Sequence, residues 1–232
     1  MSRHRVVGII GGMGPEATVE LMRRVTLRTR AADDADHVHL LVESNPKIPS
    51  RIAHLLEGAG DDPLPEILRI ARNLQGAGAE ALAMPCNTAH HYAEAIQAAV
   101  SIPLLDMVKL TVARIAAASS AARVGLLASS AVLRVGVYAR EFAEQGLEGV
   151  LPRRQDELMA LIRGVKRGES GAPAAQRLAE IGAELAGQCE FSLIACSELS
   201  LISADLANRT RVLDSLDVLA DAVVEFAGAR TR

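Results

Sequence analysis

Short apolar blocks alternate with longer amphipathic stretches along most of this chain. The blocks predict strands at residues 5–10, 37–43, 81–84, 123–128 and 191–195. The stretches with helical spacing predict helices at residues 16–30, 65–76, 90–100, 174–186 and 215–229. Pro46 and Pro49 block regular structure, so residues 44–50 are expected to form a loop. Strands that alternate with helices in this way predict βαβ units, and therefore an α/β fold with parallel sheets.

The second half of the chain repeats the plan of the first. The segments Gly78-Ala-Glu-Ala-Leu-Ala-Met-Pro-Cys86 and Gln188-Cys-Glu-Phe-Ser-Leu-Ile-Ala-Cys196 align without a gap, and each has a glutamate six residues before its final cysteine. The repeat predicts two pseudo-symmetric half-domains, each a mainly parallel sheet flanked by helices. We expect the last helix to return to the first half. The predicted division is therefore residues 1–108 with 211–232, and residues 109–210.

Composition narrows the class of protein. Half of the 232 residues are hydrophobic but only 2% are aromatic, so the core must be built from Ala, Val, Leu and Ile. The net charge is -3 and no basic block is present, which argues against nucleic acid as a partner. No apolar run approaches the ~20 residues of a membrane span, and the run at residues 6–10 is too short for a signal peptide. We expect a cytoplasmic protein.

The three cysteines, Cys86, Cys189 and Cys196, fit neither a disulfide framework nor a metal site. Their number is odd, no C-x-x-C pair occurs, and no close Cys and His cluster suits zinc. Cys189 precedes a strand and is expected to be inert. Cys86 and Cys196 each end a predicted parallel strand, at the edge where open α/β sheets bind ligands.

Two thiols at matched strand ends suit the transfer of a proton at a carbon atom. Racemisation needs a base on one face of the α-carbon and an acid on the other, and a protein can hold a thiolate near neutral pH. Without an electron sink, the site must stabilise a carbanion-like state electrostatically. Asn87 and Ser197 follow the two cysteines, where an amide and a hydroxyl could bind an α-carboxylate.

Three motifs resemble the aspartate/glutamate/hydantoin racemase superfamily, and its aspartate racemase branch in particular. They are Gly11-Gly-Met-Gly-Pro-Glu-Ala-Thr18, Met84-Pro-Cys-Asn-Thr-Ala-His90 and Cys196-Ser-Glu198. Weaker likenesses extend over the whole chain, at Asn45-Pro-Lys-Ile-Pro-Ser-Arg51, Val165-Lys-Arg-Gly168 and the last strand, Val212-Leu-Asp-Ser215.

The resemblance implies an active site in the cleft between the half-domains, a homodimer, and no cofactor or metal. It implies that Cys86 and Cys196 are the two acid–base groups acting on an acidic amino acid, aspartate first and glutamate second. The substrate-binding residues that it implies are Met13, Asn45, Arg51, Asn87, Thr88, Ser129, Lys166 and Ser197.

One segment departs from the family pattern. Relatives tend to have Thr-x-Gly-Thr after the strand at residues 123–128, whereas this chain has Ser129-Ser-Ala-Val132. Ala131 resists the positive φ that glycine adopts, and Val132 lacks the last hydroxyl. This change bears on the identity of the substrate more than on the type of reaction.

Other functions remain open at the level of sequence. Some relatives use cysteine for decarboxylation or for cis–trans isomerisation of diacids, and a non-catalytic amino-acid-binding protein would keep the same pocket. Gly12, Gly14 and Ala17 also fit G-x-G-x-x-A after a strand, with Glu43 as a ribose-binding acid, which is typical of an NAD(P)-dependent oxidoreductase. Two side chains could tune the thiols: His90 could orient Cys86, and Glu198 would raise the pKa of Cys196.

Overall fold

The computed structural model describes residues 4–118, 123–204, 206 and 211–231, and these form two four-stranded parallel sheets flanked by helices. The first sheet has the strand order β2-β1-β3-β4. Its strands are β1 (Val7–Gly11), β2 (Leu40–Ser44), β3 (Ala81–Ala83) and β4 (Leu104–Leu105). The second sheet has the order β6-β5-β7-β8. Its strands are β5 (Arg123–Ala128), β6 (Glu148–Val150), β7 (Phe191–Ala195) and β8 (Val212–Asp214).

Helices connect the strands throughout both halves, as parallel pairing requires. In the first half they are α1 (Pro15–Arg28), α2 (Arg51–Leu55), α3 (Leu64–Gly76), α4 (Ala93–Ala99) and α5 (Met107–Ala118). In the second half they are α6 (Ser130–Val135), α7 (Val137–Glu144), α8 (Gln155–Lys166), α9 (Ala172–Ala183) and α10 (Ser197–Ser200), and α11 (Ser215–Ala227) follows β8. The described residues also contain two 3-10 turns, Asp34–Asp36 and Thr88–Tyr92.

The predicted fold class and the two half-domains are confirmed. The strand orders of the sheets are the same when four is added to each number, so β3 and β7 occupy equivalent central positions. The two repeated glutamates have structural roles: Glu80 accepts a hydrogen bond from the backbone of Val6, and Glu190 pairs with Arg211. Each glutamate thus anchors the chain just before a neighbouring strand of its own sheet.

Aliphatic side chains fill the core on both faces of each sheet, as the composition predicts. Ile10, Ile67 and Ile70 lie in one layer of the first half, and Val7 and Ile9 point into the other. Helix α11 closes that second layer by packing against α1 and α5, so the end of the chain returns to the first half. The predicted division at residues 108–109 and 210–211 stays a prediction; residue 210 lies outside the described part, and β8 just after it pairs in the second sheet before α11 returns to the first half.

Several elements were not predicted from the sequence. Helix α5 buries one face at helical spacing, but alanines occupy much of its exposed face, so the contrast between apolar and polar positions is weak. Strand β4 has only two residues, too few for an alternating pattern. The predicted helix at residues 90–100 is in fact the 3-10 turn Thr88–Tyr92 followed by α4, so the segment after Cys86 begins with a tighter turn than expected.

Candidate active site

The two matched cysteines lie in one narrow cavity between the half-domains. Cys86 follows β3 by three residues, and Cys196 follows β7 directly. Both are buried, at 6% and 5% exposure. The cavity, about 40 Å³, is lined from the first half by Met13, Ser50, Arg51, Ile52, Cys86, Asn87 and Thr88, and from the second by Ser129, Val132, Ile162, Lys166, Ala195, Cys196, Ser197 and Glu198.

A wider groove of about 690 Å³ lies on the surface beside His91, Gln97 and Arg140. It contains neither Cys86 nor Cys196. The smaller cavity is therefore the candidate active site, because it is where both thiols meet donors for anionic groups.

Among the predicted substrate contacts, Asn45 is the one that the structure does not bring to the cavity wall. Its side-chain amide donates to Glu66 Oε1 at 2.6 Å, and its Oδ1 accepts from the backbone of Lys47 at 3.0 Å. Asn45 shapes the loop that carries Arg51, and direct contact with substrate stays a prediction.

The glycine-rich turn after β1 packs closely against the loop that contains Asn45. Gly12 has φ +92°, and a Cβ there would lie 2.3 Å from the carbonyl carbon of Asn45, so only glycine allows the two segments to approach so closely. Thr18 Oγ1 accepts a hydrogen bond from Gly12 N–H and donates to the Gly14 carbonyl, which places Met13 in the cavity wall.

The dinucleotide hypothesis finds no support in this geometry. Glu43 pairs with Arg69 at 2.6 Å instead of standing free for a ribose. The close approach to Asn45 accounts for Gly12 without a bound pyrophosphate.

Two buried donors in the cavity wall have no hydrogen-bond acceptor within the described residues. They are Nε of Arg51 and Nδ2 of Asn87. Arg51 begins α2, where Ser50 caps the helix, and its Nη1 donates to the Pro49 carbonyl at 2.9 Å. A buried donor without a partner is costly, so both groups are prepared to bind an anionic oxygen.

Cys196 lies in an environment that favours the neutral thiol. Its Sγ donates to Glu198 Oε2 at 3.1 Å, and Lys166 Nζ lies 3.5 Å from Glu198 Oε1. Burial raises the pKa of Cys196 well above its usual range, and the charge of Glu198 and its hydrogen bond raise it further. Lys166 and the backbone N–H of Glu198 lower this pKa, but by less. The predicted effect of Glu198 is therefore confirmed in direction.

Both ring nitrogens of His90 lie against backbone atoms, one of them the carbonyl oxygen of Cys86. Its Nδ1 lies 2.9 Å from the Cys86 carbonyl oxygen, and its Nε2 lies 3.1 Å from the backbone nitrogen of Met107. Because a backbone N–H can only donate, Nε2 must accept and the ring hydrogen lies on Nδ1. Burial lowers the pKa of His90, against an opposing effect of Asp106.

The segment at residues 129–132, which differs from the family pattern, has an ordinary backbone conformation. Ser129 caps α6, and its Oγ accepts from the backbone N–H of Val132 at 3.3 Å. Ala131 is the second residue of that helix, so the expected need for positive φ does not arise; among the described residues only glycines have it. Val132 remains in the cavity wall, where its side chain is apolar.

Several residues of the cavity wall were missed from the sequence. Ser50, Ile52 and Ala195 adjoin predicted residues, so neighbourhood alone could have suggested them. Ile162 lies four residues before Lys166 on α8, and that spacing puts both side chains on one helix face.

Two features of the described residues concern other classes of site. No three His, Cys, Asp or Glu side chains in this part of the chain are grouped so as to hold a metal ion. None of the described helices is long and apolar enough to cross a membrane.

All three cysteines are free, and Cys189 is half-buried outside the cavity wall.

Comparison with known proteins gives consistent matches. The profile of the family described as Asp/Glu/Hydantoin racemase matches residues 10–223. A broad specificity amino-acid racemase of Bacillus subtilis, RacX, is 26% identical over 227 residues, which cover 94% of this chain and 96% of the relative.

Solved structures extend the match to the whole fold. The aspartate racemase of Picrophilus torridus is 30% identical, with a TM-score of 0.89 over 98% of this chain and 96% of its own. A glutamate racemase of Francisella tularensis, solved with D-glutamate, shares the fold alone at 14% identity, with a TM-score of 0.65 over 96% of this chain and 81% of its own.

Proposed function

Because the chain belongs to the Asp/Glu/hydantoin racemase family and is an amino-acid racemase, an isomerase, we propose that it inverts acidic amino acids with Cys86 and Cys196 as its acid–base pair. One observation carries this proposal: a cysteine from each half-domain lines the same buried cavity. Aspartate is the proposed substrate, in keeping with the name of the Picrophilus relative.

The reaction then needs only a proton transfer on each face of the α-carbon. One cysteine, as thiolate, takes the α-proton, and the pair of electrons from the broken C–H bond stays on the substrate. The other cysteine, as thiol, gives its proton to the opposite face and becomes a thiolate. The α-carbon is inverted, and the two sulfurs have exchanged protonation states.

The environment of Cys196 supports a proposal for which of the two cysteines is protonated in the resting enzyme. Its raised pKa and its hydrogen bond to Glu198 favour the thiol, so Cys196 starts as the acid. In that state Cys86 has to act as the base. In the reverse direction the Cys196 thiolate forms beside Lys166 and the backbone N–H of Glu198, which both lower its pKa.

The donors of the cavity suit the two carboxylates of the substrate. Asn87, Thr88 and Ser197 adjoin the cysteines and would bind the α-carboxylate, which also stabilises negative charge as the α-proton leaves. Arg51 and Lys166 enter from opposite halves and would bind the side-chain carboxylate.

Broad specificity is a second candidate function. Ile52, Val132 and Ile162 give the cavity an apolar portion, and the Bacillus relative is named for broad specificity. Uncharged amino acids would then be racemised at rates near that of aspartate.

The test is α-proton exchange in deuterium oxide. L- and D-aspartate, glutamate and several uncharged amino acids are incubated with wild type, Cys86→Ala and Cys196→Ala, and with Cys189→Ala as the matched control. We expect wild type and the control to racemise aspartate with deuterium at the α-carbon, and both cavity variants to lose racemisation. Treatment with a chelator or hydroxylamine should leave the rate unchanged, because the thiols supply both acid and base.

Other outcomes would exclude the two-thiol proposal. Full activity in either cavity variant would contradict it. Loss of carbon dioxide or isomerisation of a diacid would indicate one of the related cysteine chemistries, and binding without any exchange would indicate a non-catalytic protein.

Two further expectations accompany the proposal. Working thiols require a reducing compartment, so we expect the enzyme in the cytoplasm. The homodimer implied by resemblance stays a prediction, and light scattering should give about twice the chain mass of 24.5 kDa.

A further inference from the structure

A tyrosine of the second half-domain binds a cavity residue of the first. Tyr138, on α7, donates its phenol hydrogen to Asn87 Oδ1 at 2.6 Å. Both side chains are buried, at 1% and 3% exposure. This contact crosses between the half-domains directly beside Cys86.

The hydrogen bond determines which end of the Asn87 amide is available. Because Oδ1 accepts from the phenol, Nδ2 is directed elsewhere, and it is buried with no acceptor among the described residues. Asn87 lines the cavity, so this unpaired donor belongs to the cavity wall. A primary amide free to rotate would present oxygen as readily as nitrogen, and oxygen would repel a carboxylate.

The surroundings of the phenol keep it a donor. Burial raises the pKa of Tyr138 above its usual range, so the group stays protonated near neutral pH. The buried hydroxyls of Thr111 and Ser215 lie next to it and lower this pKa to a smaller extent, although neither reaches standard hydrogen-bond geometry.

We propose that Tyr138 is a positioning residue that orients the Asn87 amide, so that Nδ2 faces the α-carboxylate of the substrate. This inference rests on the proposed function and adds to it a residue outside the cavity wall. It also makes the carboxylate site depend on both half-domains, because Asn87 is held from the opposite half.

Packing alone does not require the hydroxyl. Phe142 lies one helical turn after Tyr138, and the rings contact each other with centroids 5.8 Å apart. Both belong to the same apolar cluster, where a phenylalanine is already accommodated. Tyr138→Phe therefore preserves the ring and removes the hydroxyl with its bond to Asn87 and its weaker contacts with Thr111 and Ser215.

The test is a double-mutant cycle with Tyr138→Phe and Asn87→Ala. We expect Tyr138→Phe to lower kcat/KM for L-aspartate about tenfold in wild type, and less than twofold in the Asn87→Ala background. Phe142→Leu is the packing control: it should reduce stability but leave the same fold-change in both backgrounds. An equal loss from Tyr138→Phe in both backgrounds would overturn the proposal.

A second measurement does not depend on activity. In protein labelled with ¹⁵N-asparagine, the side-chain signals of Asn87 are assigned by their loss in Asn87→Ala. We expect Tyr138→Phe to shift these signals and to speed their exchange with solvent, while Phe142→Leu leaves them nearly unchanged. Unshifted signals in Tyr138→Phe would overturn the inference. A wild type without racemase activity would instead contradict the proposed function and leave this NMR result to decide the role of Tyr138.

Discussion

Cys196 donates its thiol hydrogen to Glu198 across 3.1 Å, and the two side chains form adjoining parts of the same cavity wall. The bond links an acid–base candidate to a carboxylate that Lys166 holds at 3.5 Å. Protonation of Cys196 therefore depends on the charge of a side chain two residues along the chain.

Glu198→Gln should lower the pKa of Cys196, because it removes the negative charge and the charged acceptor while burial remains. Below the pKa, each unit of lowering gives about a tenfold increase in thiolate. Alkylation of Cys196 by iodoacetamide, followed by mass spectrometry across pH, should thus be about tenfold faster in the variant. Glu94→Gln, at an exposed position on α4, serves as the control. An unchanged alkylation profile would show that Glu198 does not control the thiol.

Arg24→Met should strongly destabilise the fold. Arg24 is buried and donates to Asp214 at 2.7 Å and to the Ser200 carbonyl at 2.7 Å, so it joins α1 to β8 and α10. Burial raises the pKa of Asp214, and Arg24 opposes that effect. Removing one member of a buried pair costs about 3–5 kcal/mol, which urea unfolding would measure.

The control for that prediction is the neighbouring residue Arg23. It pairs with Glu20 on the surface, where its side chain is 58% exposed. Arg23→Met should change the free energy of unfolding by less than about 1 kcal/mol. Similar losses of unfolding free energy in Arg24→Met and Arg23→Met would mean that the buried contacts of Arg24 stabilise the fold no more than a surface ion pair does.

His90 should make the protein less stable as the pH falls. Its pKa is lowered in the folded state by burial, so the unfolded chain binds more protons below the ordinary value of 6.5. Stability is then full above pH 6.5 and declines as the pH falls from there towards the lowered pKa. Urea midpoints between pH 5 and 8 should show a smaller decline in His90→Asn than in wild type. His91→Asn, which replaces an exposed neighbour, should keep the decline of wild type.

Val132→Thr should shift specificity towards aspartate. The change is nearly isosteric and puts a hydroxyl in the cavity wall, where one hydrogen bond contributes about 1 kcal/mol, or about fivefold in kcat/KM. The measurement is the ratio of kcat/KM for aspartate to that for an uncharged amino acid. Val135→Thr, on the same helix outside the cavity wall, should leave the ratio unchanged. If the ratio of kcat/KM values is unchanged in both variants, residue 132 does not determine substrate specificity.

The sequence alone predicted the α/β architecture and the two strands that end near Cys86 and Cys196. Apolar blocks and glycine turns are local signals, and a parallel sheet brings the carboxyl ends of its strands to one edge whatever the details of packing. For this reason Cys86 and Cys196 could each be placed at the ligand-binding edge of its own sheet, whereas the shared cleft and most of the substrate contacts came from the resemblance to the racemase family. Helix α5 was missed because alanines on its exposed face weaken the contrast between its two faces, and strand β4 was missed because two residues are too few for an alternating pattern.

Only the tertiary structure decided how these side chains act on one another. Tyr138 and Asn87 are 51 residues apart, and Arg24 and Asp214 are 190 apart, so no local pattern pairs them. Asn45, which belongs to a motif that resembles the substrate loop, instead binds Glu66 from a neighbouring helix. Such contacts depend on how the two half-domains and their loops pack, and that packing is a sum of many small interactions spread over distant parts of the chain.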